Sequence, residues 1–554
     1  MKKAIAAAAI CSLTACAATE QDPNSGAADI IFRNGLVYAD NMAEAVTVSN
    51  GKIQFIGSNA DALQYQDEQT KVIDLKGKLL LPGFIDNHSH LGEGGEVTCL
   101  PKDHLTIEQQ ASQLAKCARG VAKGKWIIGY GMHLEVVLGE NEIMNHPLTT
   151  LDEIFPDNPV IIMEQTSHSM FVNSLALAEA GFTKNTPHPQ GGKIMKDEQG
   201  ELNGVLVDNA GDIVMEIAVN AVDNKFDVFY EGILYGLDEA KKNGITTVGD
   251  GRTYWRRGMY DAWKEVESNN DLTARISLRP WIYPTVAINE QLQFLENAYQ
   301  NDLEKLLLVN QVKMYSDGVP ENGTARVILP YKLTWFPESP YGINYIPQHQ
   351  METWLTELNT LGYGAHIHAL GDQGVRETLN AIEKVRDEGS VRTYNMTHLA
   401  MVDGDDVARF AELNVDADIQ VAEALSSHAI RQRDFEPLIG KQRAAEILYR
   451  PLKELQDSGA NVVLSSDWTV QPMSPLLAIS YTVEEGSFTI EQAIDAYTIN
   501  PAKALGLASI TGSIEIGKSA DFVVLNQDIT QLSAKQILDA KVTMTVLQGE
   551  IVYE

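Results

Sequence analysis

Short apolar runs alternate with segments of helical periodicity through the middle of the chain. Apolar runs between turn signals are typical of strands buried on both faces of a parallel sheet. They occur at 126–129, 160–163, 246–248, 276–278, 311–315, 364–368, 394–397 and 462–465. We therefore predict an α/β fold in which residues 83–509 form a (β/α)8 TIM-like barrel. The strand signals within about 126–204 do not fit evenly spaced βα units, so we expect one insertion there.

Both ends of the chain show short, alternating segments separated by turns instead. Asn34-Gly35 and Asn50-Gly51 are dipeptides typical of tight β-turns. Similar β-rich pieces occur at 30–38, 45–48, 52–57, 72–75, 78–81, 513–517, 520–525 and 542–554. We predict that residues 29–82 and 510–554 build one small β-sandwich, with the barrel inserted between its halves.

The first 15 residues have the pattern of an export signal. Lys2 and Lys3 precede an alanine-rich apolar stretch that is too short to span a membrane as a mature helix. The stretch ends at Leu-Thr-Ala-Cys, which resembles a bacterial lipobox and implies cleavage before Cys16 and lipidation of that residue. A simple secretory signal is the alternative. Both interpretations predict export. The first predicts a lipoprotein anchored through a tether at 16–28 and facing the periplasm or the cell surface.

Charge and cysteine content narrow the functional classes. The 554-residue chain has a formal net charge of -32, and such a surface repels phosphate backbones, which argues against nucleic-acid binding. Of the four cysteines, Cys11 lies in the signal and Cys16 in the lipobox. An oxidising compartment would permit a disulfide between Cys99 and Cys117, but the sequence leaves open whether they are close enough.

A His-x-His pair follows the apolar run and Pro-Gly turn at 79–83. Residues i and i+2 of a strand point the same way, so His88 and His90 can present two imidazoles to one point. That arrangement suits a divalent metal ion. A catalytic metal additionally needs an open coordination position, which the end of a strand provides.

Further residues of ligand type lie at the ends of later predicted strands: Lys313, His366, His368, His398 and Asp467. A lysine within an apolar strand is costly to bury unless it is paired or modified, although a lysine at the rim can also reach water. A single histidine of this kind is often structural. Several together at the C-terminal ends of barrel strands, where TIM-barrel active sites lie, indicate a metal centre.

At these motifs the chain resembles the amidohydrolase superfamily, in the branch that includes N-substituted formamide deformylase. The resemblance covers residues 29–554 and rests on Pro-Gly-Phe-Ile-Asp-x-His-x-His, Val-Lys-Met-Tyr-Ser-Asp-Gly, His-Ala-Leu-Gly-Asp, Thr-His and Ser-Ser-Asp. It implies one metal on His88, His90 and Asp467. It also implies a second on His368 and His398, with a carboxylated Lys313 as the bridge. Zinc is the expected ion. His366 is the rival of His368, because both face the same way.

The resemblance implies a metal-dependent hydrolase of non-peptide C–N bonds in a small-molecule substrate of the amide, formamide or N-acyl type. In that mechanism Asp467 takes a proton from the attacking water and passes it to the leaving nitrogen. The alternatives are a deaminase, a hydrolase of N-acyl amino acids or dipeptides, and an ester or lactone hydrolase. Outside the enzymes, a periplasmic binding or regulatory protein could use the same scaffold. Dimers are common in the families that the chain resembles, so a homodimer is one possibility, but the sequence leaves the oligomeric state open.

Three residues are candidates for substrate contact. His168 lies in a segment similar to the family's Gly-His-x-x-x-x-Asn-Ser, with Ser167 in place of the glycine. A buried structural histidine is the alternative. Asp317, after the lysine strand, could bind a polar group of the substrate or face solvent. His366 is the third candidate if it is not a metal ligand.

Overall fold

The computed structural model describes residues 26–95, 112–113, 115–116, 118–132, 147–164, 166–421 and 428–554. The predicted signal sequence, Cys16 and the pair Cys99 and Cys117 lie outside these residues. Within the described ranges, no helix has both the length and the apolar character needed to cross a bilayer.

Strands occur in four stretches of the described chain. The first stretch holds β1 Ile30–Arg33, β2 Leu36–Val37, β3 Ala45–Ser49, β4 Lys52–Gly57, β5 Lys71–Asp74 and β6 Leu79–Pro82. The next holds β7 Phe84–Ser89, β8 Ile127–Met132, β9 Val160–Glu164, β10 Ser169–Val172, β11 Gly192–Lys196 and β12 Leu202–Asp208. Then follow β13 Ile245–Asp250, β14 Arg275–Ser277, β15 Leu307–Leu308, β16 Gln311–Tyr315, β17 Gly364–Ala369, β18 Tyr394–His398, β19 Val415–Gln420 and β20 Val462–Ser465. The last are β21 Phe522–Leu525, β22 Val542–Leu547 and β23 Glu550–Tyr553.

Helices separate most of the central strands. The α-helices are Asn59–Ala62, Pro147–Ile154, Ser174–Glu179, Asn209–Asn220, Lys225–Lys242, Met259–Ser268, Ile288–Ala298, Gln348–Leu361, Asp372–Asp387, Val407–Glu412, His428–Ile439, Lys441–Glu446, Leu452–Ser458, Pro475–Glu484, Ile490–Asp495, Ile499–Ala504 and Ala534–Ile537. Short 3-10 helices are Leu63–Tyr65, Leu91–Gly95, Trp255–Arg257, Gly404–Asp406 and Ile529–Gln531.

Two parallel sheets form the centre of the α/β fold. Their strand orders are β15-β14-β13-β7 and β16-β17-β18-β19-β20. Backbone hydrogen bonds connect the sheets at both sides: Ile282 N–H donates to the carbonyl of Lys313, and Asp467 N–H donates to that of His88. The C-terminal ends of β7, β16, β17, β18 and β20 therefore meet around one space.

Helix Asp372–Asp387 shows how the sequence covers these sheets. Its buried residues Val375, Leu379 and Ile382 recur every three or four positions, so they form one apolar stripe. That stripe belongs to a large core shared with the strand residues Ile367 and Met396. The opposite face of the helix is polar, which fixes how the helix packs.

The segment expected to be inserted contributes a sheet of its own. Strands β8 to β12 form a five-stranded sheet in the order β11-β12-β10-β9-β8. The sheet ends at Asp208, directly before helix Asn209–Asn220. The turn between β9 and β10 carries His168, so this sheet delivers one of the predicted site residues.

Strands from both ends of the chain share a sheet. One sheet has the order β4-β3-β1-β5 and the other β2-β6-β21-β22-β23, and residues such as Phe32 and Phe522 pack between them. The prediction of a strand piece at 513–517 is wrong. That segment is a turn in which Gly517 takes a φ of 89°, and its N–H donates to the carbonyl of Ile53.

Strand β19 was absent from the sequence prediction. Its residues Val415-Asp416-Ala417-Asp418-Ile419-Gln420 alternate apolar and polar side chains, and all six are buried. A search for continuous apolar runs passes over such a strand. Its polar residues Asp418 and Gln420 prove important for the site.

Candidate active site

Three predicted ligands meet where β7 and β20 end. His90 Nε2 lies 3.0 Å from Asp467 Oδ1, and His88 Nε2 lies 3.3 Å from the same oxygen. The two imidazole Nε2 atoms are 3.3 Å apart. The pairing of Asp467 N–H with the carbonyl of His88 fixes this register. One carboxylate and two imidazoles of this kind are a donor set that a divalent metal can occupy.

Lys313 reaches the same cluster from β16. Its side chain is fully buried, and Nζ lies 3.5 Å from His88 Nε2. Burial holds the pKa of the Lys313 amine well below its usual range, although the nearby Asp467 carboxylate opposes that shift. Burial thus favours the uncharged form of the amine, which is the form that can act as a nucleophile.

His368 and His398 form the other side of the cluster. Their ring centroids are 4.7 Å apart, and the His398 ring lies 4.9 Å from that of His88. His368 Nε2 donates to the carbonyl oxygen of Gly318 at 3.2 Å, and its Nδ1 is buried without a partner among the described residues. Because a carbonyl oxygen only accepts, the lone pair of a neutral His368 ring is on Nδ1.

Protein acceptors orient two more imidazoles in the same way. His90 Nδ1 lies 3.1 Å from Glu93 Oε1, and His398 Nδ1 lies 2.8 Å from Gln420 Oε1. A histidine that donates from one ring nitrogen to such an acceptor presents the lone pair of the other. The acceptors thus prepare both rings to bind a metal through Nε2.

The protonation states of the cluster suit metal binding. Burial lowers the pKa of His88 and His368 well below the usual range and that of His398 to about 3. Burial also disfavours the imidazolium of His90, but the Glu93 and Asp467 carboxylates outweigh it and raise its pKa to about 9. Metal ligands must be deprotonated, and three of these four imidazoles are already neutral. With the unpartnered Nδ1 of His368, this shows that the residues fit a metal centre.

Glu93 belongs to a buried charged network behind His90. Arg252 donates to both carboxylate oxygens of Glu93, at 2.9 and 3.1 Å, and from Nη1 to the hydroxyl of Tyr315 at 2.9 Å. Such a bidentate pair fixes the carboxylate in position. The network therefore holds His90 in the orientation that the cluster needs.

His366 lies one pleat below the cluster. Its Nε2 is 2.8 Å from His88 Nδ1 and 3.8 Å from Asp418 Oδ2, and the side chain is fully buried. His88, His366 and Asp418 could also form a ligand group by distance. However, Asp418 already accepts hydrogen bonds from Asn87 and Ser465. His366 contacts the side of His88 that faces away from Asp467.

His168 reaches the cluster from the inserted sheet. Its ring lies 5.0 Å from that of His368 and is nearly parallel to that of Tyr315, with an interplanar angle of 18°. Nδ1 is 2.6 Å from Asp208 Oδ1, and both side chains are buried. The structure thus brings His168 beside the proposed ligands.

Asp317 lies apart from the cluster. Its two carboxylate oxygens accept backbone N–H groups of Arg326, Leu370 and Gly371 at 2.8 to 3.1 Å. The side chain is fully buried, and burial raises its pKa to about 7. These contacts join two loops and favour a structural role over the predicted contact with substrate.

Several residues of the site were not found from the sequence: Glu93, Arg252, Asp208, Asp418 and Gln420. Asp418 and Gln420 have a sequence signal, because polar residues alternate with apolar ones along β19. Glu93 lies three residues after His90, but nothing in the sequence pairs it with Arg252 across 159 positions. Partners of that kind emerge only when the fold brings the strands together.

Comparisons with known proteins identify the family of the chain. A model of the Amidohydrolase family matches residues 71–553. The protein LONG AFTER FAR-RED 3 of Arabidopsis thaliana is 27% identical, over 95% of this chain and 92% of its own length. N-substituted formamide deformylase of Arthrobacter pascens is 24% identical, over 93% and 96%. The fold is shared with an uncharacterized metal-dependent hydrolase of Pyrococcus horikoshii, which is 21% identical with a TM-score of 0.69, covering 91% of this chain and 99% of that one. The chain therefore belongs to the amidohydrolase family and is a hydrolase that acts on carbon–nitrogen bonds.

Proposed function

We propose that the protein hydrolyses an amide-type C–N bond outside a peptide backbone, in a formamide or N-acyl compound, with bound divalent metal. His88, His90 and Asp467 would hold one ion and His368 and His398 a second, with zinc as the expected metal. The observation that carries the proposal is the convergence of His88, His90 and Asp467 within 3.3 Å of one another. The Arthrobacter relative, by its name, acts on N-substituted formamides, which supports this substrate class.

Lys313 supports a centre with two metals. Burial favours the uncharged form of its amine, and that form can add to carbon dioxide, losing a proton and becoming an N-carboxylated side chain with two oxygen donors. The carboxylated side chain would place a buried anion next to the imidazole of His88, because His88 Nε2 lies 3.5 Å from the unmodified Lys313 Nζ. A mononuclear deaminase site has no need for such a group, so Lys313 favours hydrolysis of an amide over deamination.

The hydrogen bonds support His368 over His366 as the second ligand on β17. The contact with Gly318 leaves the lone pair of His368 on Nδ1, and the ring of His398 lies 4.7 Å from that of His368. His366 instead contacts His88 Nδ1 at 2.8 Å. There it can accept the proton that His88 carries when its Nε2 is a ligand.

A bound divalent metal would lower the pKa of water and polarise the substrate's carbonyl oxygen. Asp467 would accept the proton of the attacking water and deliver it to the leaving nitrogen. Burial alone would raise the pKa of Asp467, but its hydrogen bond to His90 and the nearby imidazoles lower it below the usual range, so the carboxylate is ionised and can accept a proton. Glu93 and Arg252 keep His90 aligned while the proton moves.

We extend the proposal to architecture and location. The backbone bonds that join the two parallel sheets at both sides support a closed (β/α)8 barrel over residues 83–509. The sheet shared by β2, β6 and β21 to β23 supports a composite β-sandwich. The lipobox around Cys16 supports export as a lipoprotein, and loss of membrane association in Cys16→Ser would test it.

The proposed activity is tested with zinc-loaded enzyme and N-formyl and N-acetyl derivatives of simple amines. We expect release of the free amine together with formate or acetate. Lys313→Ala should lose release of the amine and should partly recover it when acetate and zinc are supplied. Lys305→Ala is the matched control, because Lys305 is exposed and lies in the loop just before β15. Ammonia release from N-heterocycles without acyl cleavage would support a deaminase instead.

A further inference from the structure

The imidazole of His168 forms a side-chain hydrogen bond through only one of its two nitrogen atoms among the described residues. Nδ1 lies 2.6 Å from Asp208 Oδ1, and no described residue forms a hydrogen bond with Nε2. Because a carboxylate only accepts, the Nδ1 proton points at Asp208. A neutral His168 ring therefore offers a hydrogen-bond acceptor at Nε2, next to the proposed ligand His368.

The fold places this pair with precision. Asp208 N–H donates to the carbonyl of His168 at 2.8 Å, so backbone and side chain link the same two residues. Asp208 itself adopts a φ of 54° and a ψ of -133°, a conformation that residues other than glycine adopt only when the surroundings enforce it. A side chain at Gly318 would come within 2.7 Å of Asp208 Oδ2. The loop after the lysine strand thus makes room for the carboxylate.

The His168 ring also lies in the wall of the metal cluster. The Tyr315 ring stacks on that of His368 at 3.9 Å and is nearly parallel to that of His168 at 5.6 Å. Tyr315 is fixed in turn by Arg252. A group bound between His368 and His398 would therefore lie beside His168.

We propose that His168 Nε2 accepts a hydrogen bond from the N–H of the scissile amide and so selects secondary amides over N-alkylated tertiary amides. The proposal rests on the proposed amide hydrolysis and specifies its substrate. An acceptor nitrogen cannot bind the carbonyl oxygen, whereas the amide N–H of a formamide or N-acyl amine is the matching donor. A tertiary amide has no N–H to donate, so its binding would leave the buried His168 Nε2 without a hydrogen bond, and that loss lowers the rate for the tertiary amide.

The test uses the zinc-loaded enzyme with the N-formyl and N-acetyl derivatives of butylamine and aniline, each beside its N-methyl analogue. We expect kcat/KM to be roughly 100-fold higher for the secondary amides in the wild type, and this preference to disappear in His168→Phe. Phenylalanine keeps the ring against Tyr315 but has no acceptor. His188→Phe is the matched control, because His188 lies in the inserted segment, where its Nδ1 accepts the N–H of Ile194.

The outcomes separate the two proposals. Absence of cleavage of every amide by wild-type enzyme would contradict the proposed function itself. Equal cleavage of secondary and tertiary amides by the wild type would overturn the role of His168 while leaving hydrolysis intact. A lower zinc content in His168→Phe than in His188→Phe would also overturn it, because His168 would then be a metal ligand. If His168→Phe does not fold, equal cleavage of secondary and tertiary amides by the wild type still overturns the proposal.

Discussion

Two layers of buried polar side chains lie on neighbouring levels of the same parallel sheets, and they differ in how their polar atoms are satisfied. The lower layer consists of the buried Asn87, Arg279, Gln311, Asn395 and Asp418. The upper layer consists of the buried His88, His90, Lys313 and His368 and the partly exposed His398 and Asp467. In the lower layer, Arg279 donates to Asn87 Oδ1 at 2.7 Å and to Gln311 Oε1 at 2.9 Å. Asn87 in turn donates to Asp418 at 2.9 Å.

The upper layer brings like groups together instead. His88 Nε2 faces His90 Nε2 at 3.3 Å and Lys313 Nζ at 3.5 Å, and His368 Nδ1 has no partner in the described structure. Buried polar groups are normally paired within the protein, so nitrogen atoms that face one another, together with an unpartnered His368 Nδ1, indicate a bound partner such as a metal ion. Burial of polar residues alone therefore does not mark a site. What distinguishes this one is the convergence of several nitrogen donors on one point.

The largest effect should come from Asp467→Asn, which removes the proton acceptor of the upper layer. We expect kcat to fall by about 10⁴-fold, at the upper end for loss of acid–base catalysis. Rates are measured on the best substrate of the amide panel. Asp416→Asn is the control, because Asp416 is a buried aspartate bonded to Asn461 away from the cluster. Comparable rates for the two variants would show that Asp467 is not catalytic.

Arg279→Met should damage the lower layer by a different route. Removing the guanidinium leaves buried acceptors on Asn87 and Gln311 unpaired, each at a cost of about 1–3 kcal/mol, so we expect the free energy of unfolding to fall by about 3–5 kcal/mol. Denaturant titration of zinc-loaded protein measures this. The exposed Arg433, changed to methionine, should have little effect. A stable Arg279→Met protein with lost metal would mean that the two layers are one functional unit.

Glu93→Gln should weaken the upper layer without removing a ligand. The amide can still accept from His90 Nδ1, but its charge pairing with Arg252 is lost. We expect a fall in zinc affinity of roughly 10- to 100-fold, measured by competition with a chelator. Glu290→Gln, which alters an exposed ion pair with Arg256, is the control. Unchanged affinity in Glu93→Gln would exclude the orienting role.

The smallest effect should come from His366→Gln, at the boundary between the layers. A glutamine oxygen can replace His366 Nε2 as the partner of His88 Nδ1, so we expect full metal content and less than about 10-fold loss of activity. His368→Ala should lose metal. Elemental analysis of both variants decides between them, and the reverse pattern would make His366 the ligand.

Much of the upper layer was predictable, because its residues lie at the ends of strands with a clear apolar signature. The predicted runs at 311–315 and 462–465 coincide with β16 and β20, and His88, His90 and Asp467 converge as expected. Metal ligands leave a strong sequence signal, since only a few residue types can serve and they recur at strand ends.

The partners of those ligands were not predictable from one sequence. Glu93, Arg252 and Gln420 act through contacts between distant segments, and any polar residue looks like them in isolation. Asp317 illustrates the converse: its position after the lysine strand suggested substrate contact, yet its carboxylate binds backbone N–H groups. The position of a residue along a strand predicts in which of the two layers its side chain lies. Which groups the side chain contacts there depends on the neighbouring loops.

The most direct test of the upper layer as a metal centre is the metal content per chain of purified protein expressed from residue 17 onward with zinc supplied. We expect two equivalents in the wild type and in Lys305→Ala, and fewer in Lys313→Ala. One equivalent in the wild type, with the same value in Lys313→Ala, would contradict the bridging lysine. No bound metal, in protein that is folded and supplied with zinc, would contradict the metal centre as a whole.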